Sequence, residues 1–128
     1  MKVLIDTHAF LWLLEDAPQL SAVARATFSN PECDLFFSAA SYWEICIKQS
    51  LGKLKLAPKW KKIVARELDR NSIRWLALEP AHMHGILALP WHHRDPFDRL
   101  LMAQAISECM SILSADKQMW TYDVSVVW

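Results

Sequence analysis

The stretch KVLIDTHAFLWLLED, residues 2–16, changes its period at Asp6. Residues 2–5 read as a short buried strand. Residues 7–16 read as a helix, which Ala17 and Pro18 stop. A strand that hands over to a helix through an acid is the opening unit of an α/β fold. The acid is left at the carboxyl edge of the sheet, where such sheets hold their ligands.

The alternation continues along the chain. LSAVARATFSN (20–30) reads as a helix closed by Asn30-Pro31, and DLFFSA (34–39) as a strand. SYWEICIKQSLG (41–52) is helical with Gly52 at its end. PKWKKIVARELDRN (58–71) is a basic amphipathic helix, IRWLAL (73–78) a strand and PAHMHGILAL (80–89) a short helix. DPFDRLLMAQAISECM (95–110) is a long helix, SILSA (111–115) a strand ending at Asp116, and VSVVW (124–128) a last strand. The strands are continuous apolar runs, as a parallel sheet covered on both faces requires. The expectation is a three-layer α/β/α sandwich with a mostly parallel sheet of about five strands, folded as one domain over residues 1–128.

Composition narrows the class. Hydrophobic residues make up 53% and charged residues 22% of the 128, enough to bury a core. No apolar run approaches the roughly 20 residues of a membrane span, and the N-terminus lacks the apolar stretch of a signal peptide. A cytoplasmic protein is expected. Cys33, Cys46 and Cys109 lie far apart without a CxxC, which argues against a disulfide framework and a thiolate zinc site; they are expected as small buried apolar residues. The net charge of zero hides a segregation. Residues 48–74 hold nine Lys/Arg against two acids, leaving five against twelve elsewhere. Such a local basic surface can meet a polyanion.

Four acids fall at strand ends or helix starts. Asp6 and Asp116 follow strands, and Glu44 and Asp98 lie in the first turns of helices. Capping explains part of this. Ser41-Tyr-Trp-Glu44 matches a capping box, and Asp95 before Pro96 is a good N-cap with proline at N1. Helical phase separates the rest. Asp98 shares a stripe with Leu101, Met102, Ala105 and Cys109, with Arg99 and Gln104 placed elsewhere, mostly on the opposite face. Glu44 borders the stripe of Ala40, Trp43, Ile47 and Leu51. A carboxylate on an apolar stripe is costly to bury unless something cationic meets it, and no basic residue is obviously placed to do so. A hard divalent cation, Mg²⁺ or Mn²⁺, would. Carboxylates around such an ion form the apparatus of phosphodiester hydrolysis.

These pieces resemble a known family. LIDTHAFLW, SAASYWEICIKQSLGKL, HRDPFDRLLMAQA and ILSAD, in this order and spanning the chain, are similar to PIN-domain ribonucleases of the VapC toxin type. The resemblance implies a parallel sheet flanked by helices and an acidic pocket that binds Mg²⁺ or Mn²⁺ and cuts RNA. Carried over by position, it makes Asp6, Glu44, Asp98 and Asp116 the catalytic and metal-binding acids. Asp6 and Asp98 are expected as the direct ligands. Ser114 matches a hydroxyl residue two before the fourth acid, Thr7 is a neighbour in the pocket, and Asp95 belongs to a subgroup's DPFD pattern; helical phase, not the resemblance, makes Asp95 the cap standing behind Asp98. The family further implies a small antitoxin that blocks the site, and a homodimer.

Lys48, Arg94 and Arg99 are the candidates for RNA backbone contact. His92 and His93 read as pocket rim. Trp43 is placed on a core stripe, and Trp12, Trp60 and Trp91 are left for a dimer or antitoxin surface. Three rivals stand beside the nuclease. A receiver-type signalling domain needs a phosphoacceptor aspartate near mid-chain, but no aspartate occurs between Asp34 and Asp69. A non-catalytic PIN-like binding module could lose an acid freely, and here all four are present. A DNA nuclease of related chemistry is the third.

Overall fold

A computed structural model describes all 128 residues. Strands β1 (Lys2–Ile5), β2 (Asp34–Ser38), β3 (Arg74–Leu76), β4 (Ser111–Leu113) and β5 (Val126–Val127) form one sheet in the order β3-β2-β1-β4-β5. Every neighbouring pair is parallel, with Leu4 beside Phe36 on one side and Ile112 on the other. The helices are α1 (Thr7–Glu15), α2 (Ala22–Ser29), α3 (Ala39–Ser50), α4 (Trp60–Arg70), α5 (Pro80–Gly85) and α6 (Pro96–Ser107). Strand order reverses between β1 and β4, so the ends of these two strands flank the switch point where an open α/β sheet leaves a crevice.

Each face of the sheet has its own core. Val3, Ile5, Leu35, Phe37 and Leu113 pack with Phe10, Ala24, Ile45, Trp60 and Val64 on one side. Leu4 and Ile112 pack with Ala40, Leu101, Met102, Ala105 and Met119 on the other. The period-two alternation of β-strands therefore runs through an uninterrupted apolar sequence, because both faces are covered. Phe10 and Phe37, both fully buried, meet with ring centroids 4.2 Å apart. Such a pair adds about 0.5–1.5 kcal/mol beyond its buried area.

The three-layer parallel sandwich agrees with the sequence reading, while several boundaries and surfaces are corrected. Helix α3 starts at Ala39, not Ser41: the Ser38 hydroxyl accepts from the Ala40 amide at 3.0 Å and is the N-cap. Glu44 thus lies beyond the first turn, and Ser41 caps nothing. Its hydroxyl is the one buried side-chain polar atom without a hydrogen-bond partner. The predicted helix 80–89 ends at Gly85 and continues as a single 3₁₀ turn, Ile86–Ala88. The three cysteines do not fill the core: Cys33 is half-buried, and Cys46 and Cys109 are exposed. Cys109 stands just past α6 in a left-handed conformation, φ 55°, where the turn into β4 leaves it outside.

Two helix stripes also differ from the expectation. In α6 every residue from Arg99 to Ala105 is buried, so the helix has no polar opposite face over that span. It runs beneath α5 and against α3 as well as the sheet. In α3 the buried set is Ala40, Ser41, Glu44 and Ile45, and Trp43 is 54% exposed. Trp60, by contrast, is core.

Candidate functional site

The site grows from the ends of β1 and β4. The Asp6 amide donates to the Leu113 carbonyl at 3.1 Å, extending the ladder one residue past β1. Its side chain turns down to cap α1, Oδ1 accepting from the Ala9 amide at 2.7 Å. Its Oδ2 accepts from the Ser114 hydroxyl, and that hydroxyl accepts from the Asp116 amide at 3.0 Å. Ser114 therefore links the first acid to the fourth. Asp116 caps the 3₁₀ turn Lys117–Thr121, Oδ1 accepting from the Gln118 amide at 2.9 Å.

Glu44 enters from α3 and is 2% exposed. Both of its oxygens are engaged. The Thr7 hydroxyl donates to Oε1 at 2.6 Å, and Lys48, one turn on, donates to Oε2 at 2.5 Å. The start of α3 is anchored to α6, because the Ser38 hydroxyl also donates to Gln104 Oε1 at 2.5 Å. The structure thus brings Asp6, Glu44, Asp98 and Asp116 together from four distant segments, with Thr7 and Ser114 between them.

Capping and chemistry separate the two aspartates of DPFD. Asp95 Oδ1 accepts from the amides of Phe97 at 2.9 Å and Asp98 at 3.1 Å, the work of an N-cap. Asp98 is the only one of the four acids whose carboxylate accepts no hydrogen bond; its sole close polar contact is His93 Nε2, 3.0 Å from Oδ2. Burial, with the charges of Asp95 and Glu44 beside it, pushes the Asp98 carboxyl up to about 7. Burial likewise raises Asp6, against the hydrogen bonds from Ser114 and Ala9. Burial lowers the Lys48 ammonium, but the hydrogen bond and charge of Glu44, with Asp95 and Asp98 beyond, outweigh it and lift Lys48 above the usual lysine range.

No cation is expected among the acids from the sequence; the structure places Lys48 there and sets the His93 ring against two of them. The His93 ring lies 3.0 Å from both Asp98 Oδ2 and Asp116 Oδ2 through Nε2. Its one sequence signal is its place two residues before the N-cap Asp95. Arg99 is corrected in the other direction. It is 3% exposed and bonded to the carbonyls of Pro90 and Ile86 at 2.9 and 3.3 Å, so it is turned away from any phosphate. Arg94 is exposed, and Lys48 lines a cleft of about 310 Å³ with Thr7, His8, Ile45 and Lys53. A second cleft of about 300 Å³, walled by Asp6, His8, Trp12 and Asp116, opens beside it. His8 stands between the two.

The donor set suits a hard divalent cation. It offers carboxylate oxygens and no thiolate, and the unbonded Asp98 carboxylate crowds like charges that a cation would relieve. His93, Asp98 and Asp116 place potential ligand atoms within 4.8 Å of one another.

A family model described as the PIN domain matches residues 3–124. The fold is similar to a chain in the crystal structure of VapBC2 from Rickettsia felis bound to a promoter DNA fragment, with TM-score 0.74, 12% identity, and 98% of this chain and 97% of that one covered. It is also similar to a chain of FitAcB from Neisseria gonorrhoeae, with TM-score 0.65, 18% identity and coverage of 97% and 95%. A toxin–antitoxin complex from Klebsiella pneumoniae holds a further similar chain, with TM-score 0.62, 13% identity and coverage of 98% and 96%. At these identities the likeness is one of fold. No curated protein sequence gives a significant match.

Proposed function

We propose that this chain, which belongs to the PIN domain family, is a Mg²⁺- or Mn²⁺-dependent endoribonuclease and the toxin of a toxin–antitoxin pair. The observation that carries the reading is the convergence of Asp6, Glu44, Asp98 and Asp116, with an Asp98 carboxylate that accepts no hydrogen bond. Asp98 and Asp6 are the proposed ligands, Asp116 the neighbouring one, and Glu44 the acid held in place by Thr7 and Lys48. A bound cation would polarise the phosphoryl oxygen, lower the pKa of water and stabilise the leaving oxygen.

The chain's own residues do the rest. Ser114 and the Ala9 amide fix both oxygens of Asp6, so its carboxylate presents one orientation. Lys48 keeps Glu44 paired and stands at the cleft wall with Lys53, and Lys53 and the exposed Arg94 are the groups proposed to meet RNA phosphates. Water attacks phosphorus in line and the P–O3′ bond breaks, leaving a 5′-phosphate and a 3′-hydroxyl.

The small antitoxin partner is proposed from the toxin–antitoxin complex that holds a similar fold. A homodimer is proposed from exposed apolar side chains such as Trp43, Trp75 and Leu87. No helix is long and apolar enough to cross a membrane, in keeping with the proposed action in the cytoplasm.

The test is direct. Purified protein is incubated with Mn²⁺ and either single-stranded RNA or DNA of the same sequence. RNA cleavage that a chelator abolishes, with DNA left intact, is the expected result. Cleavage of DNA alone would favour the related DNA nuclease, and no cleavage of either would favour a binding module.

A further inference from the structure

His93 reaches the acids on a loop that is tied down from several sides. Its amide donates to the Tyr122 hydroxyl at 2.8 Å, and its Nδ1 accepts from the Asp95 amide at 3.1 Å. The remaining ring nitrogen, Nε2, faces Asp116 Oδ2 and Asp98 Oδ2, each at 3.0 Å. The contact with Asp116 has hydrogen-bond geometry.

Beneath the loop lies Arg99, a buried cation with no carboxylate within ion-pair distance. Its guanidinium donates to Pro90 O at 2.9 Å, Ile86 O at 3.3 Å and His93 O at 3.4 Å. Its Cζ sits 3.9 Å from the centroid of the Trp91 ring, itself 77% exposed. Burying an arginine is costly. Here it buys a fork of hydrogen bonds that pins both ends of one short loop, a task a lysine's single ammonium cannot match.

The partner of Nδ1 decides what His93 does. A ring nitrogen that accepts an amide N–H carries a lone pair, so the ring proton sits on Nε2. Nε2 then has no lone pair for a metal and acts as a donor. We infer that His93 is a positioning residue, not a metal ligand: clamped by Arg99 and Tyr122, it holds Asp116 by hydrogen bond and fixes the gap to Asp98. The inference rests on reading the acid cluster as a divalent-cation site, and groups standing behind metal ligands set affinity by 10- to 100-fold, as a rough range.

Three kinds of measurement on the intact chain test it. In metal-free protein above pH 8, side-chain nitrogen-15 shifts of His93 should show Nε2 protonated and Nδ1 bare. Calorimetric titration with Mn²⁺ should show His93→Leu binding about tenfold or more weakly than wild type. His93→Gln, which restores a donor near the Nε2 position, should bind close to wild type. Arg99→Lys should weaken binding in the same direction as His93→Leu; if Arg99→Lys does not fold, the His93 variants decide. Pulsed electron resonance on the Mn²⁺ complex should show no directly coordinated nitrogen. A coordinated nitrogen, a protonated Nδ1, or wild-type affinity in His93→Leu overturns the inference. Failure of wild type itself to bind Mn²⁺ overturns the cation reading and this inference with it.

Discussion

Replacing Asp98 by asparagine will lower metal-dependent RNA cleavage by about 10³-fold or more, while Asp95→Asn will lower it by less than about tenfold. Asparagine keeps nearly the size and shape of aspartate and removes the charge. At Asp98 that charge accepts no hydrogen bond and meets only the His93 ring, while burial and the neighbouring acids oppose it. A cation at a phosphoryl centre stabilises the transition state by several kcal/mol, and each factor of ten in rate is about 1.4 kcal/mol. At Asp95 the main work is capping, at which asparagine equals aspartate, so α6 keeps its start. Initial rates of RNA cleavage at saturating Mn²⁺ measure both. The reverse order of the two variants would contradict the division of roles between them.

The stability of the metal-free protein will fall as pH rises toward 7, and Asp98→Asn will show less of this fall, the remainder belonging to Asp6. The sign follows from linkage. The Asp98 carboxyl is raised from 3.8 to about 7 in the folded chain. Between these values the native state holds more protons than the unfolded one, so raising the pH destabilises it. The contribution is fully present below the unfolded value and lost as pH passes the folded one. Asparagine does not titrate there. Asp98→Asn should therefore melt higher than wild type at pH 8, with the difference shrinking toward pH 5. Mn²⁺ should narrow that difference at pH 8. At a hundredfold excess over Kd, binding adds about 2.7 kcal/mol, which is roughly 10 °C for a chain of this size. Wild type should show that shift, and Asp98→Asn little of it. Thermal unfolding at several pH values, with chelator and with Mn²⁺, checks both halves. A flat difference across pH would remove the crowding argument.

The fold was legible because its signal repeats. Continuous apolar strands such as KVLI and DLFFS, each handing over to a helix, leave few arrangements other than a doubly covered parallel sheet. The acids could be found because each stands where an element begins or ends. The residues that the sequence hid are those whose surroundings come from elsewhere in the chain. Gln104 and Arg99 read as surface by composition, yet Gln104 meets Ser38 across the α3–α6 contact and Arg99 meets three carbonyls of a loop folded over it. Helical phase treats a helix as having one buried side, and α6 is enclosed on nearly all of its circumference. Trp43 failed for the opposite reason. Its stripe is apolar, but the core lies under Ala40 and Glu44, and Trp43 meets Phe97 in a T-shaped pair 5.1 Å between centroids while staying exposed.

His93 shows the same limit at the site. A histidine before a proline-capped helix reads as rim, and nothing local announces that Asp116, 23 residues on, will meet its ring. The sequence reading asked what cation could meet four acids. The structure sharpens that question, since Glu44 already has Lys48, and Asp6 and Asp116 already have donors on both oxygens. Only Asp98 accepts no hydrogen bond, with the His93 ring its one close polar neighbour.

That makes one measurement decisive for the central claim. Crystals of the protein grown with Mn²⁺, recorded near the manganese absorption edge, would locate the ion by its anomalous signal. The expected result is a peak enclosed by Asp6, Asp98 and Asp116, with an Asp98 oxygen in its coordination sphere. A protein that cuts RNA but shows no Mn²⁺ there, or shows it bound without Asp98, would contradict it.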